Sequence, residues 1–476
     1  MLLVLALAGC AVGPDFQRPD PPAGASVLPG TLEGARFEAD GRVQRFDRQA
    51  DLPADWWKRY GSSEIDALVA QALQHNPGLR AAQASLRASQ DSLRAGFGVF
   101  FPQVGASVAD SRQRAAVDLP PPLGHGLTGI GPYNLATLGT SVSYVPDLFG
   151  GQRRTVEALG AATDEQRAAL RAAYVSLTAN VVNTAIARAG YQAQRDATAA
   201  ILRRQDEQLR LVQAQFDAGT AAYLPVLALR SQQAANVATL AALEQRIDQS
   251  EHLLAQLCGA LPATFIASAP ALAEITLPAE LPDTLPAILV RHRPDILAAE
   301  ARLHAASARI GIATADLFPS LTLVGTAGAS DPVLRQVLSA GTRVWSVQAS
   351  LAGSLFNGGS VWYARKAAID AFDGARAQYE STVLSALQQV ADALRALDFD
   401  ARAVRAQAAA LAAAEQGARL AQAGLAAGTA AYLDVLMADA QLEQARLAHA
   451  GALAQRLQDT VALYAALGGG WWNAAP

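Results

Sequence analysis

Two stretches of the chain, 217 positions apart, carry the same succession of residues, and this duplication limits the fold more than any single motif. His75-Asn76-Pro77 through Phe101-Pro102 matches His292-Arg293-Pro294 through Phe318-Pro319, with Ala81, Ala82, Ala84, Leu86 and Ala88 recurring as Ala298, Ala299, Ala301, Leu303 and Ala305. Leu148-Phe149-Gly150-Gly151 returns as Leu355-Phe356-Asn357-Gly358-Gly359, and Ala218 to Leu224 returns letter for letter as Ala427 to Leu433. So long a period excludes a short-repeat solenoid and predicts two fused copies of one supersecondary module, an internal two-fold repeat.

Each copy contains one very long helix. From Gln152 to Asp217 there is no Pro and only Gly160 and Gly190, while Ala, Leu, Arg, Gln and Glu abound,. The span would reach about 100 Å at 1.5 Å per residue, and Val361 to Ala426 matches it in length. Arg167, Arg171, Arg188, Arg195, Asp206 and Glu207 exclude a membrane-spanning helix, so long, laterally packed helices are predicted,. Each stops at a Gly-Thr pair, Gly219-Thr220 or Gly428-Thr429. Gly can take the left-handed conformation that ends a helix, and Thr is expected to cap the next one. Return helices follow over roughly 223–256 and 432–466, about half the outgoing length. Residues 78–100 and 295–317 are helical in composition and are expected to stack end to end on them,.

Between Phe-Pro and Leu-Phe the period changes from helical to alternating. Trp345, Val347, Ala349 and Leu351 alternate with Ser346, Gln348 and Ser350, and Leu138, Thr140, Val142 and Tyr144 with Gly139, Ser141 and Ser143,. Shorter runs follow Pro102 and Pro319, making two strands per copy joined by turn-rich connectors such as Pro120 to Gly126 and Ser330-Asp331-Pro332. A soluble hairpin with one face on a core would show the same alternation. Runs of about 10 residues also suit tilted strands crossing an outer membrane, apolar side outward and polar side toward a channel. Four strands cannot close a membrane barrel, and an open edge in lipid leaves backbone groups unsatisfied. Several chains must then share one barrel.

At the N-terminus, Leu2 to Gly9 is apolar and leads into Cys10, the pattern of a bacterial lipoprotein signal after which Cys10 would carry lipid. No Lys or Arg precedes the apolar run, which predicts that Met1 lies inside a longer natural signal,. Gly13, Pro14, Asp15, Pro19 and a polar run to about position 50 suit a tether. The only other cysteine, Cys258, reads as a small buried residue, and the mature chain has no intramolecular disulfide,. His75, His125, His252, His292, His304 and His449 are scattered without zinc-ligand spacing, with His75 and His292 read as helix-end or turn residues,. A net charge of −4 gives no basic footprint for nucleic acid,. No nucleotide-binding loop, nucleophile elbow or metal motif points to an enzyme.

These residues together resemble the outer membrane factors of Gram-negative tripartite export systems, the TolC-like channels, most closely the lipoprotein branch of OprM/NodT type. The resemblance rests on Cys10 to Phe16, Trp56-Trp57-Lys58-Arg59-Tyr60, Pro146 to Gly150, Leu285-Pro286 with Arg293 to Ile296, Ile310 to Ala313 before Phe318-Pro319, and Ala466 to Trp471, in that order along the whole mature chain. It implies an α+β membrane fold: a homotrimer sharing a 12-stranded barrel, four strands per chain, continued by a long periplasmic α-helical barrel of coiled-coil hairpins. It also implies a passive exit duct for small toxic compounds, not an enzyme, lipid-anchored in the outer membrane, with a periplasmic adaptor and an inner-membrane pump of RND type as partners. No cofactor is expected beyond covalent lipid on Cys10. A type I protein secretion channel is the alternative, and a periplasmic coiled-coil adaptor or structural protein a remote one.

The expected division is signal peptide 1–9, lipid-anchored tether 10–60, first repeat 61–261, Pro-rich linker 262–286, second repeat 287–467 and tail 468–476. Strands are expected within about 102–149 and 319–356, and hairpins over 152–257 and 361–466 with tips at 218–223 and 427–432. The resemblance assigns adaptor docking to the tips, Gly219, Thr220 and Ala221 with Gly428, Thr429 and Ala430; simple turn chemistry needs the same residues. Relatives often carry acids before the second tip. Here Glu415, Arg419 and Gln422 have helical spacing and are the candidate periplasmic constriction, with a solvated stripe the other reading,.

Overall fold

The computed structural model describes residues 11–20, 36–39, 41–47, 52–114, 132–266, 268, 270–282 and 286–473. Cys10, the stretch 1–9 and the connector 120–126 lie outside the described residues. Two compact units are present, one formed by residues 1–18, 87–165 and 300–378, the other by 19–86, 166–299 and 379–476. No described helix is long and apolar enough to cross a membrane.

The first unit contains a four-stranded antiparallel sheet of β3 (Gln103–Gln113), β4 (Tyr133–Tyr144), β6 (Ser320–Asp331) and β7 (Arg343–Ala352), in that spatial order. Register fixes its two faces. One row aligns Val104, Val142, Gly325 and Val347, and the next aligns Ala106, Thr140, Ala327 and Trp345. The opposite face carries Gly105, Ser141, Thr326 and Ser346 in one row and Gln103, Ser143, Val324 and Gln348 in another. Because side chains alternate with period two, the sheet is apolar on one side and hydroxyl- and amide-rich on the other.

Two helices of 67 residues, α3 (Gly151–Asp217) and α7 (Ser360–Ala426), begin in the first unit and continue into the second. Their returns, α4 (Leu224–Leu257) and α8 (Tyr432–Ala466), have 34 and 35 residues, within a residue or two of the lengths expected from sequence. The shorter helices are α1 (Ser63–His75), α2 (Pro77–Gly96), α5 (Pro286–His292) and α6 (Pro294–Ala315), so His75 and His292 do end helices.

End-to-end stacking of short helices on return helices is visible at both junctions in the second unit. Asn76 Nδ2 donates to Leu257 O at 2.9 Å, where α2 meets the end of α4, and Arg293 Nη1 donates to Ala466 O at 2.7 Å, where α6 meets the end of α8. Side-chain donors thus occupy carbonyls that a helix C-terminus leaves unpaired. Cys258 is fully buried at the first junction, and burial pushes its thiol up to about 11.

The core of the second unit gathers Trp56, Tyr60, Val181, Ile186, Leu254, Leu397, Val461 and Tyr464. Trp56 and Tyr464 rings lie 5.3 Å apart, and Tyr60 Oη donates to Leu457 O at 3.2 Å. The sequence places residues 36–47 in a tether, yet they form β1 (Arg36–Ala39) and β2 (Arg42–Asp47), a hairpin to which β5 (Glu280–Pro282) adds in parallel. Arg456 of α8, 1% exposed, fixes it: Nε donates to Gln44 Oε1 at 3.0 Å and Nη2 to Phe37 O at 2.7 Å. A buried guanidinium is tolerated only with such acceptors.

Candidate functional site

Three places carry the expected sites: the sheet, the hairpin tips and the N-terminal segment. On the sheet, Trp345 and Val347 are 79% and 80% exposed, unusual for side chains of their type,. The apolar row from Leu321 to Ala329 of β6 runs about 26 Å along the strand at roughly 3.3 Å per residue,, which at the roughly 35–45° tilt of barrel strands covers about 20 Å of the ~25 Å apolar band of an outer-membrane barrel. Charged residues of that face, Asp110, Arg112, Asp331 and Arg343, sit at the strand ends away from the helices. Over β3, β4, β6 and β7 the other face bears no carboxylate, guanidinium or ammonium group, only Ser, Thr, Gln, Gly, Ala and a few larger neutral residues. Among the described residues, β3 and β7 each have one unpaired edge, and every residue of both is exposed.

At the tips, Gly219 and Gly428 have φ of +70° and +73°, the left-handed geometry expected of them,. A β-carbon on either would meet open space, so backbone conformation rather than crowding calls for glycine,. The expected capping role of threonine is corrected. Thr220 N and Oγ1 both donate to Gln215 O at 2.9 Å, and Thr429 N and Oγ1 to Gly424 O at 2.8 and 3.2 Å. Threonine therefore closes the outgoing helix, because its hydroxyl can donate to a carbonyl left free at a helix end. The return helices start otherwise: α4 has Pro225 in its first turn, and Asp434 accepts from Ala431 N at 2.8 Å ahead of α8. Phe216 and Tyr223 rings close the first turn at 4.8 Å.

Of the candidate constriction, Arg419 is exposed, while the other two side chains turn toward the return helix of their own hairpin. Glu415 lies 3.7 Å from Arg446, and Gln422 Nε2 donates to Asp439 Oδ1 at 3.4 Å. The polar residues that sequence reading missed are on α8 and its neighbours. Asp439 Oδ2 also accepts from Gln208 of α3 at 2.6 Å, and Asn236 of α4 donates to Gln205 Oε1 of α3 at 3.1 Å. Nearby Glu443 is 5% exposed, and burial raises its carboxyl pKa against a hydrogen bond to Asn236. No sequence signal marked Asp439, since a lone acid on an Ala-rich helix reads as a solvated face.

The segment after Cys10 packs rather than hanging as a tether. Val12 N donates to Phe149 O at 3.0 Å, Phe16 stacks on His304 with ring centroids 4.4 Å apart, and Arg18 pairs with Glu300 at 2.7 Å. Arg154, 5% exposed, donates to Val12 O, Gly13 O, Asp15 Oδ1 and Glu157 Oε2, so three of its four acceptors belong to this segment. Gly13 and Gly150 are needed for the fit: a β-carbon on Gly13 would lie 2.5 Å from Gly311 Cα, and one on Gly150 would lie 2.6 Å from Ala11 Cα. Among the described residues, no group of His, Cys, Asp and Glu could hold a metal ion.

The family model for outer membrane efflux proteins matches residues 68–260 and 285–469. The chain is 30% identical over 472 residues to the toluene efflux pump outer membrane protein TtgC of Pseudomonas putida, covering 98% of this chain and 94% of that protein. It is 28% identical over 484 residues to nodulation protein T of Rhizobium leguminosarum bv. viciae, covering 100% of this chain and 93% of that protein. Among solved structures, the outer-membrane channel OprN superposes with a TM-score of 0.87 at 31% identity, over 97% of this chain and 100% of that one.

Proposed function

This chain belongs to the outer membrane efflux protein family, and we propose that it is the outer-membrane exit duct of a tripartite efflux system in a Gram-negative bacterium. Three copies share one barrel of 12 strands, four from each chain, continued in the periplasm by a duct of helical hairpins. A periplasmic adaptor meets the tips, and an inner-membrane pump, of RND type, supplies the energy. The observation that carries this reading is the four-stranded sheet, apolar on one face and uncharged polar on the other, with both edges bare. In lipid the edge amides and carbonyls would be unsatisfied, and pairing β7 of one copy with β3 of the next removes both edges at once. The uncharged inner face suits a passive conduit that accepts varied small solutes. No chemistry is catalysed and no cofactor is used.

The chain is one module written twice, with the first repeat at 61–261, the linker at 262–286 and the second repeat at 287–467. The element order supports this, since each half runs helix, strand, strand, 67-residue helix and return helix. Gly219, Thr220, Ala221, Gly428, Thr429 and Ala430 dock the adaptor. Of Glu415, Arg419 and Gln422, proposed for the periplasmic constriction, Arg419 is the exposed one that would face the duct, while Arg446 and Asp439 hold Glu415 and Gln422 against the return helix. Small toxic compounds are the substrate class, supported by the toluene efflux role in the name of TtgC.

Cys10 carries the lipid, and residues 11–18 seat the anchor beside Gly150 at the foot of the sheet. In a strain deleted for its own efflux duct and carrying the cognate pump and adaptor, this chain should restore toluene or drug tolerance. Cys10→Ser should lose all labelling by clickable palmitate yet keep part of its membrane association, because the barrel remains. Failure to restore tolerance with correct insertion would remove the efflux reading. Complete release of Cys10→Ser from membranes would remove the barrel.

A further inference from the structure

The duplicated residues occur in two different states, and the difference identifies a contact the chain cannot make with itself. On α6, Ala298, Ala301 and Ala305 are buried; their counterparts on α2, Ala81, Ala84 and Ala88, are exposed. Phe318 at the end of α6 stacks on Phe149 before α3, with ring centroids 4.6 Å apart and planes 16° from parallel. Their counterparts, Phe101 and Phe356, are 64% and 90% exposed, and Leu355 beside Phe356 is fully exposed. Identical residue types at equivalent positions do not differ in burial through their own chemistry. What differs is the neighbour.

Contacts in the first unit show which neighbour is missing. Helix α2 lies against α3 through Ser89 and Thr163 at 3.1 Å, α3 against α6 through Glu157 and His304 at 2.9 Å, and α6 against α7 through Thr314 and Arg365 at 3.1 Å. The row therefore runs α2, α3, α6, α7, and the strands follow the matching order β3, β4, β6, β7. Under the duplication, α2 with α3 corresponds to α6 with α7. The relation of α3 to α6 has no counterpart within the chain, because the counterpart would join α7 to an α2 that lies at the far end of the row.

We propose that the start of α7 in one copy covers α2 of the next copy, with Phe356 stacking on the next copy's Phe101 as Phe149 stacks on Phe318. This contact rests on the shared-trimer reading given above. It is a head-to-tail, heterologous contact, which forms a closed ring when the rotation allows. Small residues at the junction permit close approach: Gly151 lies against Ala315 within the chain, and Gly98, the counterpart of Ala315, faces open space. The polar ties between α3 and α6 are not duplicated, since His304 and Glu157 have no acid and histidine at the matching positions. The aromatic stack and the alanine face are what both copies retain, and aromatic pairs in this offset geometry are favourable beyond their buried area.

The test is chemical cross-linking of detergent-extracted protein carrying Phe101→Cys and Phe356→Cys, using a short bismaleimide, with native mass measured in parallel. Covalent dimers and trimers are expected on a denaturing gel, while each single variant and the pair Phe149→Cys with Phe318→Cys yield only single-chain bands. A photoreactive benzoylphenylalanine at position 101, which keeps an aromatic ring, should label a peptide containing Phe356 of another chain. A trimer by native mass that gives neither product overturns this contact and leaves the trimer standing. Absence of a trimer overturns both.

Discussion

Val347→Arg is expected to abolish outer-membrane insertion, whereas Ser346→Arg, one position earlier on the same strand, inserts normally and turns the channel anion-selective. Val347 lies in the apolar row with Val104, Val142 and Gly325, and Ser346 in the polar row with Gly105, Ser141 and Thr326. An arginine at mid-depth on the lipid face of a barrel costs about 2–4 kcal/mol, so three copies cost roughly 6–12 kcal/mol, comparable with the whole stability of a typical domain. The polar face has no carboxylate or cationic group over the four strands, so three arginines there would be its first fixed charges. Urea extraction of membranes reports insertion, and reversal potential in a planar bilayer under a salt gradient reports selectivity. Normal insertion of Val347→Arg together with failure of Ser346→Arg would mean that the faces are inverted.

Gly428→Arg is expected to eliminate export while leaving the channel assembled. Its φ of +73° costs a residue with a β-carbon about 1–2 kcal/mol, and the open space around it lets a long side chain project outward without a clash. The strain is confined to one turn whose neighbours, Thr429 N and Oγ1 on Gly424 O, can remain in place. The variant should form the native oligomer, reach the outer membrane and take up palmitate. Drug tolerance in a strain relying on this duct alone should fall to that of the deletion, and cross-linking to the adaptor should disappear. Normal tolerance would remove the second tip from the docking surface.

Much of the helical architecture is legible because its signals are local. Absence of proline over Gln152 to Asp217, closed by Gly219, is enough to bound a 67-residue helix within a residue at either end. Alternation of Trp345, Val347 and Leu351 with Ser346, Gln348 and Ser350 likewise fixes a two-faced strand. The role of Thr220 and Thr429 differs from the expected one because a hydroxyl both donates and accepts, and only the geometry shows that each donates backward to the helix it follows. The β1–β2 hairpin has a signal, Asp40-Gly41 between Phe37 and Val43, a turn dipeptide between short apolar-polar runs,. The charged composition of the surroundings outweighs it. What holds that hairpin, Arg456, lies more than 400 positions away and cannot be paired with Gln44 from spacing.

The proposed sites divide in the same way. Gly219 and Gly428 are legible because glycine at a helix end has one dominant physical reason, and both adopt the expected conformation. Glu415, Arg419 and Gln422 share a spacing, yet helical periodicity does not reveal which neighbour a stripe faces. Arg446 and Asp439 of α8 take up two of the three. The segment after Cys10 reads as a tether because glycine and proline are common in both linkers and tightly fitted straps. Only the buried guanidinium of Arg154, dependent on Val12, Gly13 and Asp15 for three acceptors, distinguishes them.

Among the described residues, β3 and β7 end the sheet with unpaired edges, and no single chain can place such edges in lipid,. Native mass spectrometry of the protein extracted in mild detergent, with bound lipid stripped by collisional activation, reads the number of chains directly. Particles of three chains that persist after the lipid is removed are expected, with the β3 and β7 amides protected from hydrogen exchange. A stable single-chain particle whose β3 and β7 amides exchange freely would contradict the shared barrel, and with it the duct.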